Sequence, residues 1–577
     1  MKYPLLKASP LSNKSGGCLL LLLSFFITAA QAQTAQQAFR ERQQAHNLVA
    51  AAHPSTSAMP VLAALDISKP ALVDDLLDDY LSSDKADFTL IKLIRVLNLS
   101  DEYDLQITSA ISASGVPLWL ESGEQNYIYW SENHMIMWLS SAWLLDEYHN
   151  KATDSLMRQR LVHFLELKNS YGFYEFLSPN YFPYTMSALL NLADFSRDQT
   201  IKALATAAVK RLLTEVLRAT NDLGVFFPAA GRSNTGKYLN AYTANHSKVI
   251  NVLTGLGQTP DSASDGSAFI STTDVDMTSV INSWSAVENM SIANGHSITS
   301  PVNNSLSRQD KVLFQWSFGG YFHPDTWSDT FWGIDDYYSL EQHQSFKDVA
   351  TPLRILGKNL TPTFTRGSNL AGLNVDIYKN NSVVLSSLEN HYGGYMGFQT
   401  WPWVATVEDI AIWSQSGEVK SFNSRGSQTN NSHLPKVIQQ DNLLMAIYWP
   451  NSEINAGDLF GPLDTDVSLH WPTEKFDETR ENGRWIIGRK NDSYIAVFRG
   501  CSSKINGEYG CEGNRGRQLW GAYVGNSNTH GNYQNFVNSI DNASYYNSLD
   551  FHFSCFCNRY HVRITVDGNK IDHYWND

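Results

Sequence analysis

Charge is scarce in this chain. Asp, Glu, Lys and Arg make up 17% of its 577 residues and sum to −14 at pH 7. The clustered Lys and Arg that a nucleic-acid binder needs against phosphates are missing, so no nucleic-acid partner is expected. An acidic balance leaves room for an anionic polysaccharide, provided that any basic binding site is local. Long apolar runs are missing too: after the N-terminus no segment is long and apolar enough to span a membrane. No repeat of fixed period and no low-complexity tract occurs. Cysteine is rare, with five in all, and four of them crowd the C-terminal end.

What is abundant is aromatic and apolar: Trp, Tyr and Phe reach 12%, and hydrophobic residues 43%, enough for sizeable cores. A chain of this length implies two or more domains. Low charge with many aromatics correlates with secreted carbohydrate-active proteins.

The N-terminus reads as a secretory signal over residues 1–32. Lys2, Lys7 and Lys14 supply positive charge, Leu19 to Ala30 is a short apolar core, and Ala30-Gln31-Ala32 is a small-x-small cleavage site. Cleavage before Gln33 would place the protein in the periplasm or the medium. Cys18 lies on the wrong side of the apolar core for a lipoprotein cysteine. Export would let Cys501, Cys511, Cys555 and Cys557 form disulfides. Cys501–Cys511 is the favoured bridge, across a Gly-rich loop. Cys555 and Cys557 share one face of a strand, and their spacing does not match common structural zinc patterns.

From about 61 to 260 the pattern is helical, with apolar residues at helical spacing in Ala71–Leu81, Phe88–Leu97, Leu105–Ala113, Ile136–Tyr148, Ser155–Leu167, Met186–Phe195 and Ile201–Ala219. Residues 276–292 and 308–347 are expected to be helical as well. Near residue 360 the pattern changes to short alternating runs, among them Val375–Tyr378, Ser382–Ser387, Val404–Trp413, Leu443–Tyr448, Tyr494–Phe498 and Tyr560–Val566. The tail after 567 reads as short and polar. The expected fold class is therefore multidomain α and β. An N-terminal α/α toroid, or incomplete barrel, spans 33–358 and carries catalysis; an antiparallel β-sandwich domain follows over 359–577.

Ser131-Glu132-Asn133-His134 opens the apolar run Met135 to Leu145. Three polar groups on the first turn of a buried helix sit where free N–H groups and the positive dipole end suit an anion. A satisfied cap built on Ser131 is the plainer alternative. Tyr174 to Tyr184, with Glu175, Asn180 and Tyr181, is a loop entering the helix at Met186. Gly231 to Tyr238 brings Arg232 and Lys237, and Asn240 and Tyr242 follow. His323, Asp325, Asp335, Asp336 and His343 could reach a structural divalent metal, although their spacing is not diagnostic; no cofactor is expected.

Asn, His, Arg and Tyr together suit β-elimination on a uronic-acid polymer. The proton next to a carboxylate is weakly acidic until that charge is neutralised, which an Asn donor and a positive His or Arg can do. A Tyr or His then takes the proton, and a Tyr returns one to the leaving oxygen. Trp130 and Trp138 could form sugar platforms, with Trp138 better suited to the core.

Asn133-His134, followed by Trp138 and Trp143 in one apolar helix, resembles the Asn-His helix of alginate lyases with an α/α-barrel fold. Arg232 followed by Tyr238 is similar to the Arg and Tyr that complete their active site. The two-domain plan is similar to the larger polysaccharide lyases acting on hyaluronate, chondroitin, heparin or alginate. Residues around Ser131-Glu132-Asn133-His134 and Glu175-Phe176-Leu177-Ser178-Pro179 also resemble a group of exported bacterial proteins. The resemblance implies Asn133, His134, Arg232 and Tyr238 as catalytic residues, with Tyr181 or Tyr184 as the alternative tyrosine. Trp130, Glu132, Glu175, Asn180, Lys237 and Tyr242 would bind an anionic polysaccharide or oligosaccharide. Glu132 departs from that pattern, because a carboxylate there opposes an acidic sugar unless it is paired. A glycoside hydrolase using Glu132 and Glu175 as acid and base is the second reading, and a non-catalytic glycan-binding protein the third.

Overall fold

The computed structural model describes residues 16–83, 86–114, 131–151, 155–233, 235–294, 307, 310, 314, 373–389, 394–395, 400–416, 433–449, 466–505, 507–512, 517–554 and 557–576. The N-terminal part is helical: α1 (Gly16–Ala52), α2 (Met59–Ala64), α3 (Pro70–Ser82), α4 (Asp87–Leu99), α5 (Asp104–Ala113), α6 (Glu132–Tyr148), α7 (Ser155–Tyr171), α8 (Phe182–Phe195), α9 (Gln199–Arg218), α10 (Thr235–Tyr238), α11 (Asn245–Thr254), α12 (Asp265–Thr272) and α13 (Thr278–Ile281). No helix among the described residues is long and apolar enough to cross a membrane.

Neighbour relations among these helices close on themselves. Helix α2 packs on α4, α4 on α6, α6 on α8, α8 on α12, and α12 back on α2. A helix enclosed on all sides must be apolar nearly all round. Met135 through Leu145 of α6 and Thr185 through Ala193 of α8 are accordingly buried without a break. Helix α9 lies outside this cycle, against α7 and α8. It buries a stripe, with Ile201, Ala205, Ala208, Val209, Leu212, Leu213 and Val216, and leaves a polar face. The fully buried Arg95 pins the cycle from within. Its guanidinium donates to Asn191 Oδ1 (3.0 Å) and Asp194 Oδ2 (2.9 Å) on α8 and to Thr272 Oγ1 (2.8 Å) on α12. A buried cation is tolerable here because its donors are satisfied.

The C-terminal part is antiparallel sheet, in three stacked layers rather than the two of the expected sandwich. The first has strand order β1-β2-β3-β5-β6-β10-β15-β14. Its strands are β1 (Val287–Asn294), β2 (Leu373–Asn380), β3 (Val383–Glu389), β5 (Trp403–Val407), β6 (Ile410–Ser416), β10 (Val467–His470), β14 (Lys504–Ile505) and β15 (Glu508–Cys511). The short strands β4 (Gly394–Tyr395) and β7 (His433–Leu434) pair with each other. The second layer has order β11-β12-β13-β16-β9-β8, from β8 (Lys436–Gln440), β9 (Leu443–Tyr448), β11 (Glu478–Asn482), β12 (Trp485–Lys490), β13 (Ser493–Phe498) and β16 (Gln518–Asn526). The third is β17 (Ser544–His552), β18 (Cys557–Val566) and β19 (Asn569–Asn576), in that order.

Side-chain alternation assigns each face. In the first sheet Val384 and Leu388 join the helical core, while Val383 and Leu385 join the core shared with the second sheet. In β9, Leu444, Ala446 and Tyr448 face the first sheet; Leu443, Met445 and Ile447 face the third sheet and helix α14 (Tyr533–Asp541). Because both faces are covered, β9 reads as a continuous apolar run.

Several expectations are corrected. Residues 276–292 do not form one helix: after α13 the chain enters β1, which pairs antiparallel with β2, so the sheet begins before residue 359. Val404 to Trp413 is a hairpin, broken at Glu408 with φ 57°. The tail is no loose end, because β19 pairs with β18 along its length. Cys501 and Cys511 are bridged, with Cα atoms 5.7 Å apart. Cys557 is also disulfide-bonded; Cys555 lies outside the described residues, as do most of 308–347, including His323, Asp325, Asp335, Asp336 and His343.

Candidate active site

The N-terminal ends of α4, α6, α8, α11 and α12 meet at one end of the helical half, held by their own first-turn residues. Asp87 at the start of α4 meets His134 of α6, Nδ1 to Oδ2 2.5 Å. Tyr184 of α8 donates to Asp265 Oδ2 of α12 (3.4 Å), and Asn245 Oδ1 of α11 accepts from Gly266 N (2.8 Å). Gly266 permits this approach: a Cβ there would lie 2.7 Å from Val249 and 2.8 Å from Pro183. Orphan N–H groups and dipole ends thus gather where the polar clusters lie.

Ser131 occupies the N-cap position of α6 without capping it, since its hydroxyl donates to Asn133 Oδ1. The capping acceptor comes from elsewhere: Glu175 Oε2 takes the Asn133 backbone N–H at 3.3 Å. Asn133 is fully buried, and its Nδ2 has no partner among the described residues. The half-buried His134 ring is packed edge-on by Phe88 (5.2 Å), which also meets Tyr184 edge-on (4.6 Å). A carboxylate only accepts, so Asp87 places the proton on Nδ1 and leaves Nε2 for other partners.

Glu132 is buried and paired, as an acidic residue here has to be. It forms an ion pair with the fully buried Lys168 of α7. Its oxygens also accept the backbone N–H groups of Tyr174 (2.9 Å) and Glu175 (2.6 Å). Glu132 therefore builds the loop, its carboxylate buried and paired. Burial pulls the Lys168 ammonium below its usual range, against the pull of Glu132. Glu175, also buried, accepts from Arg232 Nη1 at 2.6 Å. Burial pushes its carboxyl up to about 7; Arg232 opposes the shift and Glu132 adds to it.

Arg232 is placed by strained backbone at φ 36°. Its carbonyl accepts from Ser178 Oγ (2.5 Å), and its guanidinium lies 4.8 Å over the Tyr181 ring. Before it, Ala230 exchanges backbone hydrogen bonds with Trp401 (both 3.1 Å), fixing the loop to the first sheet. Gly231 passes so close to the 174–176 loop that a Cβ would lie 3.0 Å from Phe176. The half-buried groups on this end are His134, Asn180, Tyr181, Tyr184, Arg232 and Lys237. Burial and then Asp265 push the Tyr184 hydroxyl above its ordinary range, and burial lowers Lys237.

Tyr238 is placed elsewhere. It is 2% exposed, stacked between Phe227 (5.6 Å) and Trp401 (5.1 Å), with its hydroxyl donating to Pro228 O at 2.7 Å. The structure thus packs its ring between the 227–230 segment and Trp401. Burial, and then the neighbouring Asp409, Glu408 and Asp222, raise Tyr242 to about 12, an unfavourable setting for an anion. Trp130 lies outside the described residues, and Trp138 is core. Sequence reasoning missed Asp87, Lys168 and Asp265, ordinary helix residues until the fold pairs them, and also His246. That histidine is fully buried near Lys237; among the described residues its ring nitrogens make no hydrogen bond of normal geometry, and burial lowers it to about 3. No cluster of metal-ligating side chains occurs among the described residues.

No family model matches the sequence, and no curated relative matches it. Among solved structures, heparinase III is similar over 85% of this chain and 82% of its own, at 10% identity and a TM-score of 0.22. A heparan sulfate lyase HepC mutant from Pedobacter heparinus is similar over 93% of this chain and 82% of its own, at 10% identity and a TM-score of 0.32.

Proposed function

We propose that this chain is an exported polysaccharide lyase that cleaves a uronic-acid-containing polysaccharide by β-elimination, on an α/α toroid formed by the closed helix cycle. The observation that carries the reading is the joining of Asn133, His134, Tyr181, Tyr184 and Arg232 at convergent helix N-termini. Among the described residues Asn133 Nδ2 is a donor without a partner, and Arg232 is a cation at the rim; together they neutralise the substrate carboxylate. His134, its Nδ1 held by Asp87, presents Nε2 to take the proton beside that carboxylate. Tyr184, or Tyr181 on the same rim, returns a proton to the leaving oxygen. The electron pair of the broken C–H bond forms the C=C bond as the C–O bond to the leaving sugar breaks.

Hydrolysis by Glu132 and Glu175 is less well supported. Glu132 Oε1 accepts the backbone N–H of Glu175 itself, and both carboxylates are buried and ion-paired, Glu132 with Lys168 and Glu175 with Arg232. The test is ultraviolet absorbance of the protein incubated with alginate, glucuronan, hyaluronate, chondroitin, heparan sulfate and ulvan. A rise from the conjugated unsaturated uronate is expected with at least one polymer. New reducing ends without that absorbance would overturn the lyase assignment in favour of hydrolysis.

A further inference from the structure

The third sheet packs its inner face, with Tyr560, Val562, Ile564, Ile571 and Trp575, on the second sheet and α14. Alternation turns Tyr546, His561, Arg559, Arg563, Lys570, Asp572 and Tyr574 to the other face, where the register sets Tyr546 opposite Arg563 and His561 opposite Tyr574. Two sheets separate this face from the helices.

Its rings form an ordered row across the three strands. Arg559 lies 4.0 Å over Tyr574, Tyr574 stacks on His561 at 4.0 Å and 11°, and Tyr546 meets His561 at 5.5 Å. Tyr546 is 51% exposed and Tyr574 41%. Asp572 holds the row by accepting from His561 (2.6 Å) and Arg563 (2.9 Å), with Lys570 at 2.9 Å. The Tyr574 ring is thus covered by His561 and Arg559 and shows solvent its edge and hydroxyl, while Tyr546 is the more exposed ring of the row.

We infer that this outer face of the third sheet is an accessory binding surface for an acidic glycan chain, with the exposed Tyr546 ring and the edge of Tyr574 packing on pyranose rings and Arg563 and Lys570 meeting their anionic groups. Charge argues for an acidic partner. The chain carries −14, yet Arg559, Arg563 and Lys570 outnumber Asp550 and Asp572 on this face. A second copy of the chain suits it less, because Arg559, Arg563, Lys570 and Asp572 interrupt the rings on this face. The surface would hold a polymer independently of the helical site, and needs no cleavage to do so.

The test is affinity electrophoresis of the full-length protein in gels containing alginate, heparan sulfate or neutral hydroxyethylcellulose. Retardation by an acidic polymer and not by the neutral one is expected. Y546A/Y574A and R563A/K570A should each raise the apparent Kd about tenfold or more, with the rate on a short oligosaccharide unchanged. No retardation, equal retardation by the neutral polymer, or unchanged retardation of either double variant would overturn the assignment. So would a sedimentation change from dimer to monomer in Y546A/Y574A with polymer binding retained. Binding through this face without cleavage of any polymer would sink the lyase reading and leave this one standing.

Discussion

Replacing Glu132 with Gln is the sharpest test of how the candidate site is built. Glu132 is 1% exposed and its partner Lys168 not at all. Losing one member of a buried ion pair strands the other charge in low dielectric, at about 3–5 kcal/mol. Gln keeps one carbonyl oxygen for the two backbone N–H groups of Tyr174 and Glu175. That loss overlaps with the first and is not added to it. At roughly 2–4 °C per kcal/mol for a domain of a few hundred residues, the helical transition should fall by roughly 6–20 °C. Circular dichroism at a helical wavelength during heating measures it. E132Q/K168M should recover most of the loss, because an apolar side chain tolerates the buried site better than an ammonium that has lost the Glu132 carboxylate. A fall in E132Q smaller than about 1 kcal/mol would refute the reasoning, since Lys168 would then have another way to be satisfied.

Asn133→Ala and His134→Ala should each lower cleavage about a hundredfold or more with little change in melting temperature, read by initial rates beside thermal scans. Tyr184→Phe should lose activity, whereas Tyr238→Phe should keep it and lose only about 1 kcal/mol of stability from the bond to Pro228, which urea unfolding would show. Glu175 has a folded value raised from 4.5 to about 7. The folded state therefore keeps a proton that the unfolded state releases, so its contribution falls as pH rises through that window and levels off above it. Urea midpoints across the window should decline in the wild type and flatten in E175Q.

Much of the helical half was legible because its elements follow a strong period. Pro70–Ser82, Asp87–Leu99 and Gln199–Arg218 differ from their sequence reading only at the ends. Val287–Asn294 was not legible, because its partner strand begins at Leu373, and register between distant segments leaves no local mark. The Asp567-Gly568 turn did leave one. Both residues have positive φ, as a two-residue hairpin requires, and the polar strand after it was read as a tail. At the site, Glu132, Asn133, His134, Glu175 and Arg232 stood out as polar groups beside apolar runs. Lys168 did not, since a lysine near a helix C-terminus ordinarily faces solvent, and only packing shows it buried. Tyr238 followed Arg232 at a suggestive spacing, yet spacing does not reveal that Trp401, more than 160 positions on, closes over its ring.

The bond pair between Ala230 and Trp401 has a consequence for how such a chain can evolve. Trp401, just before β5, stacks on Tyr238 and meets Trp413 in a cluster that includes Phe227, so the helical and sheet portions complete each other's interior. Neither portion could have been exchanged by recombination as a free-standing cassette without exposing those rings. Inheritance of the two as a single block follows, and swaps between distant homologues should succeed only where no breakpoint falls between Phe226 and Trp413.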